Sequence, residues 1–75
     1  MLTHTVESYL AVRRACGFRL KSEGNLLRSF AIYSEKRGKH YVYSETAIEW
    51  AMLAQTVHTR ARRLGQVIRF ARHAR

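Results

Sequence analysis

The sequence predicts an all-α fold, a compact bundle of four helices in a single domain covering residues 1–75. The chain of 75 residues contains no proline and only four glycines, so few positions interrupt a helix. Apolar residues recur at spacings of three and four in four separate segments, whereas no segment alternates long enough to indicate a strand. Serine, threonine and glycine separate these segments, as expected of helix ends.

The first helix is predicted from about Thr5 to Ala15. Gly17 follows it and provides the left-handed residue that commonly ends a helix. Phe18 and Leu20 are expected to fill the turn that comes next. The inward side of this helix is predicted to consist of Val6, Tyr9, Leu10 and Cys16. A buried Cys16 is expected to be a packing residue rather than a nucleophile.

The second helix is predicted to begin after an N-cap at Ser22 and to end at Gly38. Its inward residues are predicted to be Leu26, Leu27, Phe30, Ala31 and Tyr33. Ile32 is expected on its solvent side.

The third helix is predicted over Glu45 to about Leu53, with Ser44 as its N-cap. Its inward residues are predicted to be Ala47, Ile48, Trp50 and Ala51.

The fourth helix is predicted over Thr56 to Arg75, with Thr56 as its cap. Steps of 100° per residue place Val57, Ala61, Leu64, Ile68 and Ala71 on one face, which we predict to be buried. The opposite face collects His58, Arg62, Gln66, Arg69 and His73. Phe70 is expected at its margin, and with Ile32 it is a candidate docking position. Because the chain ends within this helix, we expect it to be part of a longer protein.

The charge is strongly positive and unevenly distributed. The formal net charge is +9 and the sequence pI is near 10.9. The last 26 residues contain six arginines and no acidic residue. Glu7, Glu23 and Glu45 are expected in the first turns of helices, where they stabilise the N-terminus locally and leave the basic faces without counter-charges. Such a footprint is typical of nucleic-acid-binding domains.

Double-stranded DNA is therefore the predicted partner, contacted by two surfaces. Arginine binds phosphate or guanine through its planar fork, and Arg62, Gln66 and Arg69 project from one strip of the fourth helix. His58, Arg63 and His73 are expected beside them. The second predicted surface, at the start of the second helix, includes Lys21, Asn25 and Arg28.

Other kinds of site find little support in the sequence. No histidine or cysteine pair has metal-ligand spacing, and there is no glycine-rich phosphate loop, so no metal, cofactor or catalytic residue is expected. No segment reaches the ~20 apolar residues of a membrane span, and the lone Cys16 excludes an internal disulfide. A cytoplasmic location, nucleoid-associated when the protein binds DNA, is expected.

The order of several short motifs resembles the N-terminal core-binding domain of tyrosine recombinases, the phage-integrase family. These motifs are Tyr9-Leu10, Arg13, Gly17-Phe18, the run 27–31 (LRSFA), Gly38, Val42, Ala47, Trp50-Ala51 and the run 63–71 (RLGQVIRFA). The resemblance implies a bundle like the sterile-alpha-motif fold that grips duplex DNA through its second and fourth helices. Catalysis in that family belongs to a separate domain, whose catalytic residues have no counterpart here. The catalytic domain and other recombinase protomers are accordingly the implied protein partners.

Two alternatives stay open at this level. A helix-turn-helix regulator requires a polar recognition helix, and the third helix is too apolar for that role. The fourth helix is also compatible with a basic amphipathic module for an acidic partner or an anionic membrane.

Overall fold

The fold positions two central helices between two outer ones. The structure, a computed structural model, describes residues 2–17 and 21–74. In these residues it contains α1 (Leu2–Ala15), α2 (Lys21–Lys36), α3 (Ser44–Met52) and α4 (Val57–Ala74), and no strand. α2 and α4 each contact the other three helices. The predicted all-α four-helix bundle is confirmed.

Three of the predicted helix ends are confirmed by backbone geometry. Gly17 and Gly38 have φ angles of 94° and 72°, in the left-handed region that glycine adopts without strain. The backbone N–H of Thr59 donates to Oγ1 of Thr56 at 3.1 Å, so Thr56 caps α4. These signals are local, which is why the sequence shows them.

Two other predicted caps are wrong. α2 begins at Lys21, so Ser22 lies within its first turn rather than before it. α3 begins at Ser44, and Tyr43, which precedes it, makes no side-chain capping bond. The predicted roles of Phe18 and Leu20 lie outside the described residues.

α1 begins at Leu2, three residues before the predicted start. The backbone N–H of Thr3 donates to Oε1 of Glu35 at 3.0 Å, so α2 supplies a capping carboxylate that is distant in sequence. The hydrogen bonds from Thr3 also hold the pKa of Glu35 below its usual value. Because of the earlier start, Glu7 lies in the second turn of α1 rather than the first.

The core lies where all four helices meet. It is formed by Leu2, Val6, Tyr9, Leu10, Leu27, Phe30, Ala31, Ala47, Trp50, Val67 and Phe70. The predicted inward faces of the first three helices are largely confirmed, with two exceptions. Cys16 is exposed because it follows the last residue of α1 and leaves the helical stripe. Ile48 is half-exposed because it lies one step, about 100°, around α3 from the buried Ala47.

The predicted orientation of α4 is wrong by about one residue, or 100°. Val67 and Phe70 are buried, whereas Val57 and Ile68, expected inside, are 78% and 52% exposed. Phe70 is therefore a core residue and not a surface docking position. Ile32, by contrast, is on the solvent side as predicted.

Two arginines account for the difference between the predicted and the observed orientation of α4. Arg60 and Arg63 share the inward stripe of α4 with Val67 and Phe70, and their heads reach backbone carbonyls of other residues. Arginine can cover a core with its apolar stem when its charged head finds a partner. A prediction from hydrophobicity places both arginines on the outside of the helix, whereas the structure has them in the inward stripe. The predicted orientation of α4 is therefore wrong by about one residue.

Candidate nucleic-acid interface

The basic strip of α4 remains on the surface despite the rotation of the helix. His58, Arg62, Arg69 and His73 are exposed, and Gln66 is partly exposed. We call these five residues the basic strip. It lies roughly 120° around the helix from the packed stripe of Val67 and Phe70, so the two faces do not compete. His73 has the most restricted position, since its ring centroid lies 5.0 Å from that of Tyr9 on α1.

Arg69 and Arg72 carry exposed positive charge in the C-terminal half of α4. Both are exposed, and neither forms an ion pair with any described residue. α4 itself contains no acidic side chain. Arg72 was not among the predicted contacts, although its position three residues after Arg69 makes the two arginines neighbours on the helix surface. Together they form the centre of positive charge at this end of the helix.

Arg62 connects the basic strip to the start of α2. Its Nη2 atom lies 3.8 Å from Oε1 of Glu23, and both side chains are partly exposed. Glu23 lies in the first turn of α2, as predicted. The distance is long for an ion pair, and exposed pairs of this kind contribute little to stability. Arg62 therefore stays available to an anion that approaches α4.

At the start of α2, Lys21 and Asn25 are exposed and Arg28 is engaged. Arg28 donates from Nε and Nη2 to the two carboxylate oxygens of Glu7, at 2.6 and 3.0 Å. This hydrogen-bonded pair lowers the pKa of Glu7 and raises that of Arg28. Among the predicted contacts at this surface, Arg28 is thus the one already paired with a carboxylate.

A second guanidinium accompanies Arg28 over the first turns of α2. The Nη2 atom of Arg14 and the Nη1 atom of Arg28 each lie 3.7 Å from the point where a Cβ would stand on Gly24. Gly24 is buried, and a Cβ at this position would make only ordinary van der Waals contacts with the two heads. Arg14 was not predicted as a contact, because only the packing of α1 on α2 brings it here.

The three glutamates predicted to stabilise helix N-termini do not all act within their own helix. Glu45 lies in the first turn of α3 as predicted, but Glu7 and Glu23 each approach an arginine of another helix. The expectation that all three acids act locally is therefore wrong. Glu7 and Glu23 neutralise part of the positive charge near α2, whereas Arg69 and Arg72 in the C-terminal half of α4 have no ion pair with any described residue.

Arg63 is turned inward. Its Nη1 donates to the backbone carbonyl of Trp50 at 3.0 Å, and its Cζ lies 4.8 Å from the centroid of the indole ring. Its position is intermediate in exposure rather than open. The structure gives Arg63 a role in packing α4 on α3 and takes it out of the predicted contact surface.

The described residues contain no group of three or more histidine, cysteine or acidic side chains that could hold a metal ion. Within the same residues, no helix has the length and apolar character needed to cross a membrane.

The chain was compared with family models, curated proteins and solved structures, and none of them matches it. The resemblance to the core-binding domain of tyrosine recombinases accordingly rests on the sequence motifs alone. Support for a function comes from the charge and geometry of the basic strip.

Proposed function

We propose that this chain binds double-stranded DNA through the basic strip of α4, extended by Arg72, and through the start of α2. The supporting observation is that α4 holds Arg69 and Arg72 exposed, on a helix without acidic residues and without an ion pair to any described residue. The packed stripe of Val67 and Phe70 fixes the rotation of the helix, so these arginines need no rearrangement to meet a polyanion.

The proposed mechanism combines phosphate contacts with contacts in the major groove. An α-helix with its side chains is about 10–12 Å wide, which matches the roughly 12 Å width of that groove. Arg62, Gln66 and Arg69 follow at spacings of four and three residues, so they line one strip that can face base edges. Arg72 and His73 lie beyond them and are placed to contact phosphates.

The start of α2 supplies the second half of the proposed surface. Lys21 and Asn25 can contact a phosphate directly, and backbone N–H groups in the first turn of a helix favour anions. Glu7 opposes this by holding Arg28, and Glu23 adds a negative charge to the first turn of α2. We therefore assign α4 the larger share of affinity and α2 the role of setting orientation.

In the wider proposal, this chain is the core-binding domain of an integrase-like recombinase. It would hold the duplex from one side, while cleavage and strand exchange belong to a separate catalytic domain. Binding by this domain alone should be weak and mostly independent of sequence, because phosphate contacts carry little sequence information.

The test is the dependence of duplex affinity on salt. With about 4–6 phosphate contacts, a plot of log K against log salt should have a slope of about −4 to −5. Fluorescence anisotropy with a labelled 25-base-pair duplex, between 50 and 200 mM salt, measures this slope. An affinity that hardly changes across this range contradicts the proposal. Stronger binding to anionic vesicles than to duplex at matched salt contradicts it as well.

A further inference from the structure

An open apolar groove runs along α4 beside its packed stripe, on the side away from the basic strip. It has a volume of about 730 Å³ and lies between α3, α4 and the loop over residues 40–42. Its apolar lining includes Val42, Ala47, Ile48, Leu64, Val67 and Ile68.

The α4 side of the groove is formed by apolar residues that the sequence predicted to be in the core. Leu64, Ile68 and Ala71, predicted to be buried, line the groove, and among them Leu64 also packs against the core. Ile48 of α3 faces them, and Ile48 and Ile68 are each 52% exposed. Contiguous apolar surface of this kind on a small domain is typical of an interaction site.

We propose that this groove binds an acidic amphipathic helix of a partner protein. Apolar side chains spaced at i, i+3, i+4 and i+7 on the partner would enter the groove, as in other complexes that seat a helix in a groove. Carboxylates on both sides of that apolar stripe would face the edges of the groove.

Positive charges close to the groove favour an acidic partner. His40 lines the groove at its loop end, and Lys39 precedes it in the chain. Arg72, which has no ion pair with any described residue, follows the groove residue Ile68 by one helical turn and is therefore close to the groove on α4. Glu45, at the start of α3, lines a separate, smaller depression together with Lys39. The net charge of +9 adds a long-range attraction for acidic segments.

The same charge disfavours a second copy of this chain as the occupant. Pairing two grooves would bring two chains of +9 together with their basic edges adjacent, which is electrostatically unfavourable. The shape disfavours a lipid surface. The floor of the groove contains Ala47 and Val67, which are 6% and 2% exposed, and lies below edges formed by Ile48 and Ile68. Side chains projecting from a helix can reach such a floor.

The groove and the basic strip occupy different sides of α4. The stripe of Leu64 and Ile68 is roughly 140° around the helix from the basic strip centred on Arg62 and Arg69. A helix bound in the groove would leave the five residues of the basic strip open and would share only Arg72 with DNA, so α4 could hold a protein partner and DNA together. The inference about the groove does not depend on DNA being bound.

The probe for the test is a synthetic 16-residue peptide with leucine at the i, i+3, i+4 and i+7 positions of each repeat and glutamate elsewhere. A second peptide carries lysine in place of every glutamate. Titration calorimetry measures the affinity of both peptides for the full chain. We expect the glutamate peptide to bind one-to-one and at least tenfold more tightly than the lysine peptide.

The chain offers a matched control for the groove. Ile32, on α2, is 51% exposed and does not line the groove, whereas Ile48 and Ile68 are equally exposed and do. Ile48→Gln and Ile68→Gln should each lower the affinity for the glutamate peptide by about tenfold, because each variant loses the burial of half an isoleucine side chain. Ile32→Gln should leave the affinity unchanged.

A charge variant tests the edge without altering the apolar lining. Arg72→Glu should lower the affinity for the glutamate peptide and raise the affinity for the lysine peptide. The proposal is overturned if the glutamate peptide fails to bind, or if Ile32→Gln weakens it as much as Ile68→Gln. It is also overturned if Ile68→Gln abolishes dimers seen by sedimentation velocity, or abolishes binding to phosphatidylserine vesicles, because the groove would then serve a second copy or a membrane.

Discussion

Arg63 contacts Trp50 twice, once at the backbone and once at the side chain. Its Nη1 donates to the Trp50 carbonyl at 3.0 Å, and its Cζ lies 4.8 Å from the centroid of the indole ring. Arg60 makes a similar bond, from Nε to the carbonyl of Ala54 at 2.8 Å. The Trp50 carbonyl also accepts from the backbone N–H of Leu53 at 3.2 Å, and Ala54 lies in the turn after α3. The first turns of α4 are thus bonded to the end of α3 and to the turn that follows it, which helps to fix the angle between the two helices.

The first prediction concerns Arg63. Arg63→Gln should lower the free energy of unfolding by roughly 1–2 kcal/mol, because it removes a charged hydrogen bond and a cation–π contact. Urea denaturation followed by circular dichroism measures the change. The dependence of DNA affinity on salt should keep nearly its original slope. A stable variant with a clearly shallower slope would instead mean that Arg63 contacts phosphate.

The second prediction concerns Arg69, which should behave in the opposite way. Arg69→Gln should leave stability within about 0.5 kcal/mol, since the residue is exposed and makes no ion pair with any described residue. The salt slope of duplex binding should become shallower by about one. Lys36→Gln is the matched control, because it removes one positive charge from the end of α2, far from Lys21 and Asn25. An equal effect of both variants would indicate attraction by net charge alone.

The third prediction tests which face of α4 is buried in the core. Phe70→Ala should destabilise the fold by about 3–5 kcal/mol, because the ring is fully buried and packs edge-on against Tyr9 at 5.5 Å between centroids. Ile68→Ala should cost at most about 1 kcal/mol, since its side chain is half-exposed. Thermal and urea denaturation of both variants decide the order. The reverse order would mean that the stripe containing Ile68 packs in the core.

The fourth prediction is a loss of stability in acid. The Arg28 hydrogen bonds lower the pKa of Glu7 below the ordinary value of 4.5, and those of Thr3 do the same for Glu35. A lowered folded-state pKa contributes stability above the unfolded-state pKa and loses it as pH falls through the folded-state value. Stability should therefore decrease below about pH 4.5.

Glu7→Gln checks that assignment. It should reduce stability at neutral pH and make the decline in acid less steep. Glu45→Gln is the control, because the Glu45 carboxylate has no ion pair or hydrogen bond with any described residue, and it should leave the profile nearly unchanged. Denaturation midpoints between pH 3 and 7 provide the comparison. Identical profiles for the wild type and Glu7→Gln would show that the Glu7–Arg28 pair does not cause the loss of stability in acid.

The fifth prediction concerns Gly65, in the interior of α4. A Cβ built at this position meets no described atom within 4 Å, so alanine has room. Gly65→Ala should stabilise the fold by about 0.5–1 kcal/mol, because glycine is a poor helix former. The melting temperature should rise. A fall in stability would show that a neighbour approaches α4 closely at this point.

Local signals in the sequence were sufficient for the number of helices and several of their ends. The left-handed positions of Gly17 and Gly38 and the Thr56 cap depend only on residues within one turn. The early start of α1 could not be predicted in the same way, because its capping carboxylate, Glu35, is 32 residues away from Thr3.

The basic strip was also predictable in part. Arg62 and Arg69 lie on the surface because helical periodicity separates them from every apolar stripe of α4. Arg63, one step away from Arg62, was assigned to the same surface and is instead held by Trp50. Arg14 could not be assigned to the interface, because only the close approach of α1 to Gly24 brings it beside Arg28.

The sequence by itself determined four helices, their approximate bounds and a fourth helix with an uncompensated basic side. Only the tertiary structure decided which apolar stripe of α4 is buried. The helix has two such stripes about 100° apart, one with Leu64 and Ile68 and the other with Val67 and Phe70. Their hydrophobicity is similar, so the choice depends on what surrounds them. The carbonyls of Ala54 and Trp50 and the ring of Tyr9 select the second stripe, and the first is left to form the groove.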